Sequence, residues 1–399
     1  MEFRRVTGLP PYVFAQINGL KVEARAAGRD VVDFGFGNPD LPSPDVAVEK
    51  LAESVHNPRN HRYSASRGIP NLRRAIARRY QTLFGVDLDP ETQVVTTIGA
   101  KEGLTHLMWV LCEPGDCAVV PSPSYPIHLA GPGFAGARVI TVPVADPGAS
   151  ALDPGEQFFA GLEEAVRTAP SRPRVIIVSF PHNPTTACVD LAFMERLVAF
   201  AARNEIVVCH DFAYADLGFD GYQPPSILQV KGAEEWCVEL YTLTKSFSMA
   251  GWRVGFCVGN AEVVAALTKL KSYLDYGTFQ PVQIAAIVAM NEATDYPGRL
   301  RAIYQGRRDA LVEGLNRIGW PVAAPRGSMF LWAPIPEAYR AVGSLDFSTL
   351  LIREADVATS PGIGFGVNGD GHVRFALIEN EMRTHQAVRS LKRALTKLG

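Results

Sequence analysis

Short apolar runs alternate with stretches of helical periodicity over the first two-thirds of the chain. The runs are rich in β-branched residues and predict strands at 31–36, 93–98, 117–121, 137–142, 174–179, 206–210, 239–243 and 253–258. Helical spacing predicts helices at 11–28, 45–55, 70–84, 99–111, 155–168 and 190–204. Strands and helices that alternate in this way predict an α/β fold with a mostly parallel sheet flanked by helices, whose ligands bind at the carboxyl ends of the strands.

The pattern changes in the last third of the chain. A long helical stretch covers about 273–308, and a helix from Leu311, strands at 329–333 and 372–377, and a helix at 348–355 follow. This order predicts a smaller α+β unit. We therefore predict an N-terminal arm and helix at 1–35 that join the small domain, a large domain at 36–285, and a small C-terminal domain at 286–399.

The composition is that of an ordinary globular protein, with 47% hydrophobic and 20% charged residues. A formal net charge of -2 provides no electrostatic attraction to nucleic acid or to an anionic membrane. Neither a transmembrane run nor the apolar core of a signal peptide is visible, so we expect a cytoplasmic protein. The six cysteines show no metal-ligand spacing, which predicts reduced thiols and no metal site.

The candidate chemistry begins with Lys245, which lies among small hydroxyl residues and is followed by Arg253. Desolvation favours the neutral amine of a lysine, and a neutral amine attacks a carbonyl to form a Schiff base. Hydroxyl groups and a guanidinium bind phosphate. The stretch is equally compatible with a solvated lysine on a polar loop, but its groups suit an aldehyde that carries a phosphate, pyridoxal 5'-phosphate (PLP).

Other candidate groups follow the predicted strands. They are Ala100 and Lys101 in a glycine turn that opens a helix, the aromatic Tyr125, the amide Asn183, and Asp211 with Tyr214. A glycine turn before a helix offers free N–H groups to a phosphate. A carboxylate after an apolar strand needs a partner such as a pyridinium N–H. Each group has an ordinary alternative, such as a capping aspartate or a rim tyrosine, but their joint occurrence at strand ends favours a PLP site.

A second motif points to another cofactor. Residues 364–369 satisfy the G-x-G-x-x-G fingerprint of dinucleotide-binding proteins. That fingerprint requires a strand before it and a helix after it, whereas here an apolar strand follows directly. We interpret the segment as a hairpin-like loop and expect no binding of NAD.

Several motifs are similar to those of a known family. They are Gly-Asn-Pro-Asp at 37–40, Arg-Tyr-Ser-Ala-Ser-Arg-Gly at 62–68, Gly-Ala-Lys-Glu-Gly at 99–103, Pro-Ser-Tyr at 123–125, His-Asn-Pro-Thr at 182–185, Asp-Phe-Ala-Tyr at 211–214, and Lys245 with Arg253. In these motifs the chain resembles the fold-type-I, PLP-dependent aminotransferases of class I and II over nearly its full length. Residues 179–185 and 274–279 resemble most the bacterial alanine (glutamate–pyruvate) aminotransferases, and the likeness to LL-diaminopimelate and aspartate aminotransferases is weaker.

The resemblance implies a role in cofactor binding for each matching residue. Lys245 is implied to bind PLP covalently and to carry the proton, and Asp211 to pair with the pyridine nitrogen. Tyr214 and Asn183 are implied to bond the ring oxygen. The remaining residues are implied to stack on the ring (Tyr125) or to hold the phosphate (Ala100, Lys101, Thr242, Arg253, and Tyr63 from the neighbouring subunit of a homodimer).

The substrate carboxylate is implied to bind Arg374, helped by Asn183 and by the backbone of Gly37. Arg374 alternates with apolar neighbours on a predicted strand, so its side chain faces either solvent or a buried anion. In the company of the other groups we favour the anion, since the planar guanidinium suits a carboxylate.

The implied activity is ping-pong transfer of an amino group between an L-amino acid, alanine or glutamate, and a 2-oxo acid, pyruvate or 2-oxoglutarate. An LL-diaminopimelate or aspartate aminotransferase, or a PLP-dependent β-lyase, racemase or decarboxylase on the same scaffold, is the alternative. A PLP-binding transcription regulator is disfavoured, because no basic segment precedes the matching region.

Overall fold

The structure is a computed structural model that describes residue 3 and residues 13–144 and 154–398. Its helices are α1 (Val13–Ala26), α2 (Asp45–Val55), α3 (Pro70–Phe84), α4 (Ala100–Leu111), α5 (Pro126–Phe134), α6 (Pro154–Thr168), α7 (Leu191–Asn204), α8 (Ala233–Trp236), α9 (Leu243–Ser246), α10 (Ala261–Leu274), α11 (Gln280–Glu292), α12 (Tyr296–Arg317), α13 (Gly343–Ala355) and α14 (Glu381–Leu398). Its strands are β1 (Val32–Asp33), β2 (Val94–Thr97), β3 (Cys117–Ser122), β4 (Arg138–Pro143), β5 (Pro173–Val178), β6 (Val207–Asp211), β7 (Cys237–Thr242), β8 (Gly255–Gly259), β9 (Phe330–Pro334), β10 (Val357–Ala358), β11 (Ser360–Pro361) and β12 (His372–Ala376). Most of the N-terminal arm predicted at 1–35 that precedes α1 lies outside the described residues.

A seven-stranded sheet in the order β2-β8-β7-β6-β5-β3-β4 forms the centre of the fold. All neighbours are parallel except β8, which is antiparallel to both β2 and β7. Alternate residues of the central strands enter different hydrophobic cores, Ile176 and Val178 on one face and Val175 and Ile177 on the other. The sheet is therefore covered on both faces, as the apolar runs predict. The prediction of an α/β fold is confirmed.

A second hydrophobic core surrounds the antiparallel sheet β11-β12-β9. It contains Leu300 from α12, Leu351 from α13 and Leu391 from α14. The N-terminal part of the chain packs on this side as well, because β1 pairs in parallel with β10 and Ile17 of α1 clusters with Ile352. The N-terminal segment therefore packs with the C-terminal part of the chain. The domain boundaries at 35 and 285 stay a prediction.

The local structure differs from the prediction at two places. The helical stretch expected at 273–308 is broken twice, between α10 and α11 and between α11 and α12. Pro281 and Pro297 lie in the first turns of the following helices, and Gly277 has a φ of 85°. Apolar periodicity does not register such breaks. No helix is predicted between the strands at 117–121 and 137–142, but the chain forms α5 there, and Pro132 inside this helix is not typical of a helical sequence.

The G-x-G-x-x-G segment connects β11 to β12 through two short 3-10 turns, at Gly362–Phe365 and Val367–Gly369. The strand β12 follows, so the interpretation as a hairpin-like loop is confirmed. None of the helices in the described ranges has the length and hydropathy needed to cross a bilayer.

The close turn after the Tyr214 loop gives a stability prediction. A Cβ at Gly218 would lie 2.0 Å from the carbonyl oxygen of Tyr222, whereas a Cβ at Gly19, in α1, meets nothing within 4 Å. We expect Gly218→Ala to lower the free energy of unfolding by about 1–3 kcal/mol through overpacking. Gly19→Ala should raise it by about 0.5–1 kcal/mol. Thermal unfolding of the two variants checks this, and equal melting temperatures would contradict it.

Candidate active site

Lys245 lies in the short helix α9, immediately after the central strand β7. Thr242 caps this helix, because its hydroxyl oxygen accepts the Thr244 N–H at 3.2 Å. The Lys245 Nζ donates to the carbonyl oxygen of Gly37 at 2.6 Å. Burial, and then the nearby charges of Arg374 and Arg253, lower the pKa of Lys245 to about 7. A large fraction of the amine is therefore neutral at neutral pH and able to attack a carbonyl.

Asp211 lies at the carboxyl end of β6 and is only 8% exposed. Its Oδ2 is 2.8 Å from Nε2 of His128, and Nδ1 of His128 is 2.9 Å from the Ser124 hydroxyl. Its Oδ1 is buried and has no hydrogen-bond partner in the described ranges. An unsatisfied buried carboxylate oxygen is costly unless a donor meets it. The pyridinium N–H of PLP is such a donor.

His128 contacts the predicted site residue Asp211 but is not among the residues predicted from the sequence. It lies in α5, is fully buried, and fixes one oxygen of Asp211. From this segment only Tyr125 is predicted from the sequence to lie in the site. Recognition of a helix after β3 would have indicated that His128, one turn into it, faces the same strand end.

Tyr214, Asn183 and Arg374 form one chain of hydrogen bonds. The Asn183 side-chain amide donates to the Tyr214 hydroxyl at 3.2 Å, and Arg374 donates to Oδ1 of Asn183 at 2.6 Å. Burial raises the pKa of Tyr214, so the phenol keeps its proton at neutral pH. Residues far apart in sequence therefore present a phenol donor, an amide and a guanidinium together.

The surroundings of Arg374 decide between the two sequence interpretations. Arg374 is 5% exposed and its guanidinium lies 3.9 Å from the ring centre of Phe330 and 4.6 Å from that of Phe365. It also donates to the Ser360 hydroxyl at 3.3 Å. A Cβ at Gly37 would lie 2.6 Å from the Phe330 ring, so a side chain there would have to displace that ring. Arg374 therefore faces the interior beside the Gly37 backbone, where a carboxylate can bind it.

Two of the groups predicted to hold a phosphate lie together at the start of α4. Helix α4 begins at Ala100, and the first N–H groups of a helix have no partner within it. Gly99 has a φ of 77°, and a Cβ there would lie 2.3 Å from Nη2 of Arg253. The Arg253 guanidinium thus lies against the helix start, which favours an anion.

The remaining predicted residues differ in their positions. The Lys101 ammonium lies 5.8 Å from the centre of the Tyr125 ring. The Tyr125 and His128 rings pack edge to face, with their centres 5.8 Å apart. The Thr242 hydroxyl lies 3.1 Å from the Val254 carbonyl oxygen, so its contact with a phosphate stays a prediction. Tyr63 is 87% exposed, and its ring packs on that of Tyr276.

Comparisons with known proteins show the family to which the chain belongs. The family model for aminotransferase class I and II matches residues 29–391. The chain belongs to the class I and II aminotransferases. Class I and II aminotransferases use PLP, so this aminotransferase is a PLP-dependent enzyme and the prediction of the cofactor is confirmed. The buried Oδ1 of Asp211, which has no hydrogen-bond partner in the described ranges, is compatible with that cofactor, because the pyridinium N–H of PLP is a donor.

Individual relatives match the aminotransferase along almost its whole length. The glutamate-pyruvate aminotransferase AlaC of Escherichia coli is 50% identical over 98% of this chain and 93% of its own. An LL-diaminopimelate aminotransferase of Dehalococcoides mccartyi is 40% identical over 97% of both chains. The substrate-bound structure of BacF from Bacillus subtilis has a TM-score of 0.89 and 34% identity, and covers 98% of this chain and 97% of that one. The predicted fold class is confirmed by these matches.

The amine of Lys245 provides a prediction that needs no substrate. In cofactor-free protein, we expect the rate at which acetic anhydride acylates Lys245 to reach half its maximum near pH 7, because the pKa of that amine is lowered to about 7. An ordinary lysine has a pKa of about 10.4. Mass spectrometry of the Lys245 peptide, with peptides of exposed lysines from the same digest as internal controls, measures the difference. Parallel pH profiles would contradict the prediction.

Proposed function

We propose that this PLP-dependent aminotransferase transfers amino groups between alanine and glutamate, with pyruvate and 2-oxoglutarate as the 2-oxo acids. The observation that carries the proposal is the 50% identity to a glutamate-pyruvate aminotransferase over nearly the full length of both chains. The site agrees with it, since the clamp formed by Arg374 and Asn183 suits an α-carboxylate.

We propose that each residue of the site has the following role in binding the cofactor. Asp211 pairs with the pyridine nitrogen through its free Oδ1, and His128 keeps that carboxylate in place. Tyr214 and Asn183 bond the ring oxygen, and Tyr125 packs on the ring. The start of α4 and Arg253 hold the phosphate. When bound, PLP supplies an electron sink for negative charge at the substrate Cα.

Lys245 is the residue that binds PLP covalently, and its amine then removes the proton from the substrate Cα. Its Nζ, whose pKa is lowered to about 7, is neutral often enough to remove the Cα proton at neutral pH. The Gly37 carbonyl, 2.6 Å away, orients the amine beside the carboxylate clamp. Arg374 holds the substrate so that the Cα proton faces this amine, and the buried site excludes water.

Two other activities remain as defined alternatives. An LL-diaminopimelate donor is supported by the 40% identity to an LL-diaminopimelate aminotransferase. An aspartate donor on the same scaffold stays the other alternative. A β-lyase or racemase would use the same lysine and carboxylate, because these reactions differ in which bond at Cα breaks and where the proton returns. Release of ammonia or inversion of the substrate distinguishes them from transfer.

We also propose a cytoplasmic homodimer in which Tyr63 reaches the phosphate of the neighbouring subunit. Tyr63 is 87% exposed, Tyr276 is exposed as well, and the ring centres of Tyr63 and Tyr276 are 5.1 Å apart. Large aromatic side chains that are exposed together mark a protein interface. The second subunit would cover this surface.

A panel of donors and acceptors tests the proposed substrates. We expect kcat/KM for alanine with 2-oxoglutarate, and for glutamate with pyruvate, to exceed that for aspartate or LL-diaminopimelate by roughly tenfold or more, since polar contacts at a pocket discriminate strongly. Lys245→Ala serves as the inactive blank, and ammonia is assayed in parallel. Faster turnover of another donor, or ammonia release without an acceptor, would overturn the proposal.

Mixed dimers test the role of Tyr63. Lys245→Ala and Tyr63→Ala should each lose most activity alone. If Tyr63 acts across the interface, mixing the two variants should restore about a quarter of wild-type activity, because half of the randomly exchanged dimers are mixed and each contains one intact site. If Tyr63 acts within its own subunit, no mixed dimer has an intact site and activity stays absent. Light scattering measures the dimer in each sample.

A further inference from the structure

Two buried polar clusters lie beneath the active site, and both involve strand β7. In the first, Glu239 accepts hydrogen bonds from the Tyr80 hydroxyl at 2.7 Å and the Ser226 hydroxyl at 2.9 Å. In the second, the Tyr241 hydroxyl lies at the centre of a group formed by Arg79, Asp216 and Ser246. Only the second cluster includes a residue of the lysine helix α9.

The second cluster is a buried ion pair with a phenol at its centre. Nη2 of Arg79 lies 2.9 Å from both carboxylate oxygens of Asp216 and 2.8 Å from the Tyr241 oxygen. The phenol donates its proton to Asp216. Burial opposes ionisation of Asp216, but the charge of Arg79 and the hydrogen bonds from Ser246, Tyr241 and Arg79 together lower the pKa of this carboxyl. The pair is therefore ionised and rigidly held.

The cluster connects two segments of the site, the loop that follows Asp211 and the helix α9 that contains Lys245. Asp216 lies two residues after Tyr214, in the loop that begins at Asp211. Ser246 directly follows Lys245, and its hydroxyl is 2.9 Å from the Tyr241 oxygen. One phenol thus joins the segment that carries the predicted ring-binding groups to the helix that carries the amine.

We propose that the Tyr241 hydroxyl is a positioning group that holds the Lys245 helix at a fixed distance from the Asp211–Tyr214 loop. This inference rests on the proposed role of Lys245. Reaction at the substrate Cα requires the amine to be placed within about one ångström, and a misplacement of that size can cost about 100-fold in rate. Loss of the phenol would let α9 shift and admit water to Lys245.

Tyr241→Phe is the sharpest test because it removes only the hydroxyl. The Tyr241 ring stacks on Phe256, with centres 4.9 Å apart and planes 7° from parallel, and phenylalanine retains that packing. The Arg79–Asp216 ion pair also stays intact, so no buried charge is left alone. Tyr80→Phe is the matched control, since Tyr80 is equally buried and bonds Glu239 instead.

Both variants and wild type are compared by acylation of Lys245 in cofactor-free protein and by steady-state kinetics of the holoenzyme. For Tyr241→Phe we expect the half-point of acylation to move up from about pH 7 toward that of exposed lysines, because the amine gains water. We expect kcat to fall by roughly tenfold or more, with a smaller change in KM. Tyr80→Phe should match wild type in both measurements.

The outcomes separate the two proposals. If the wild-type amine has the acylation profile of exposed lysines, the proposed role of Lys245 fails, and the positioning role with it. If Lys245 in wild type has its acylation half-point near pH 7, but Tyr241→Phe has the same half-point and kcat as Tyr80→Phe, only the positioning role of Tyr241 is overturned. Should Tyr241→Phe not fold, Ser246→Ala removes the other end of the contact. An unchanged half-point and kcat in that variant would likewise overturn the inference.

Discussion

Burial of the Asp211 carboxylate at the end of β6 is the constraint on which the site depends. A buried carboxylate needs donors, and one oxygen meets His128 while the other is left for a ligand. His128 reaches it only because the chain after β3 turns into α5. The parallel order of β3, β5, β6 and β7 then brings the ends of four strands to the same edge of the sheet. The residues predicted to bind a pyridine cofactor follow these strands, so the unsatisfied oxygen lies at the edge of the sheet where the strands end.

The substrate side of the site comes from the second core. Arg374 and Phe330 lie on strands β12 and β9, and Gly37 leaves no room for a side chain against Phe330. Arg307 binds Asp40 through two hydrogen bonds of 2.7 Å and also bonds the Leu377 carbonyl, which ties the Gly37–Asp40 loop to α12. The distance between amine and carboxylate clamp therefore depends on how the two cores pack, not on either core alone.

Burial and two neighbouring cations control the charge of Lys245. Burial, and then the guanidinium groups of Arg374 and Arg253, lower the pKa of this amine, whose hydrogen-bond acceptor is a neutral carbonyl. The same two guanidinium groups attract the anions that the site is proposed to hold, a carboxylate and a phosphate. The two guanidinium groups thus have two effects: they are proposed to bind the anions, and they contribute to the lowered pKa of Lys245.

The sequence by itself determined that the candidate residues lie at strand ends. Lys245, Asp211, Tyr214 and Asn183 all follow apolar strands, and the ends of parallel strands meet at one edge of a sheet. Periodicity could not reveal α5, with its internal proline, or the breaks around α11, because these depend on single residues within an apolar pattern. Only the tertiary structure decided that Arg374 is buried, that His128 holds Asp211, and that Tyr241 touches Ser246. Those contacts join residues that lie on separate elements, and hydrogen-bond geometry is fixed only when the elements pack.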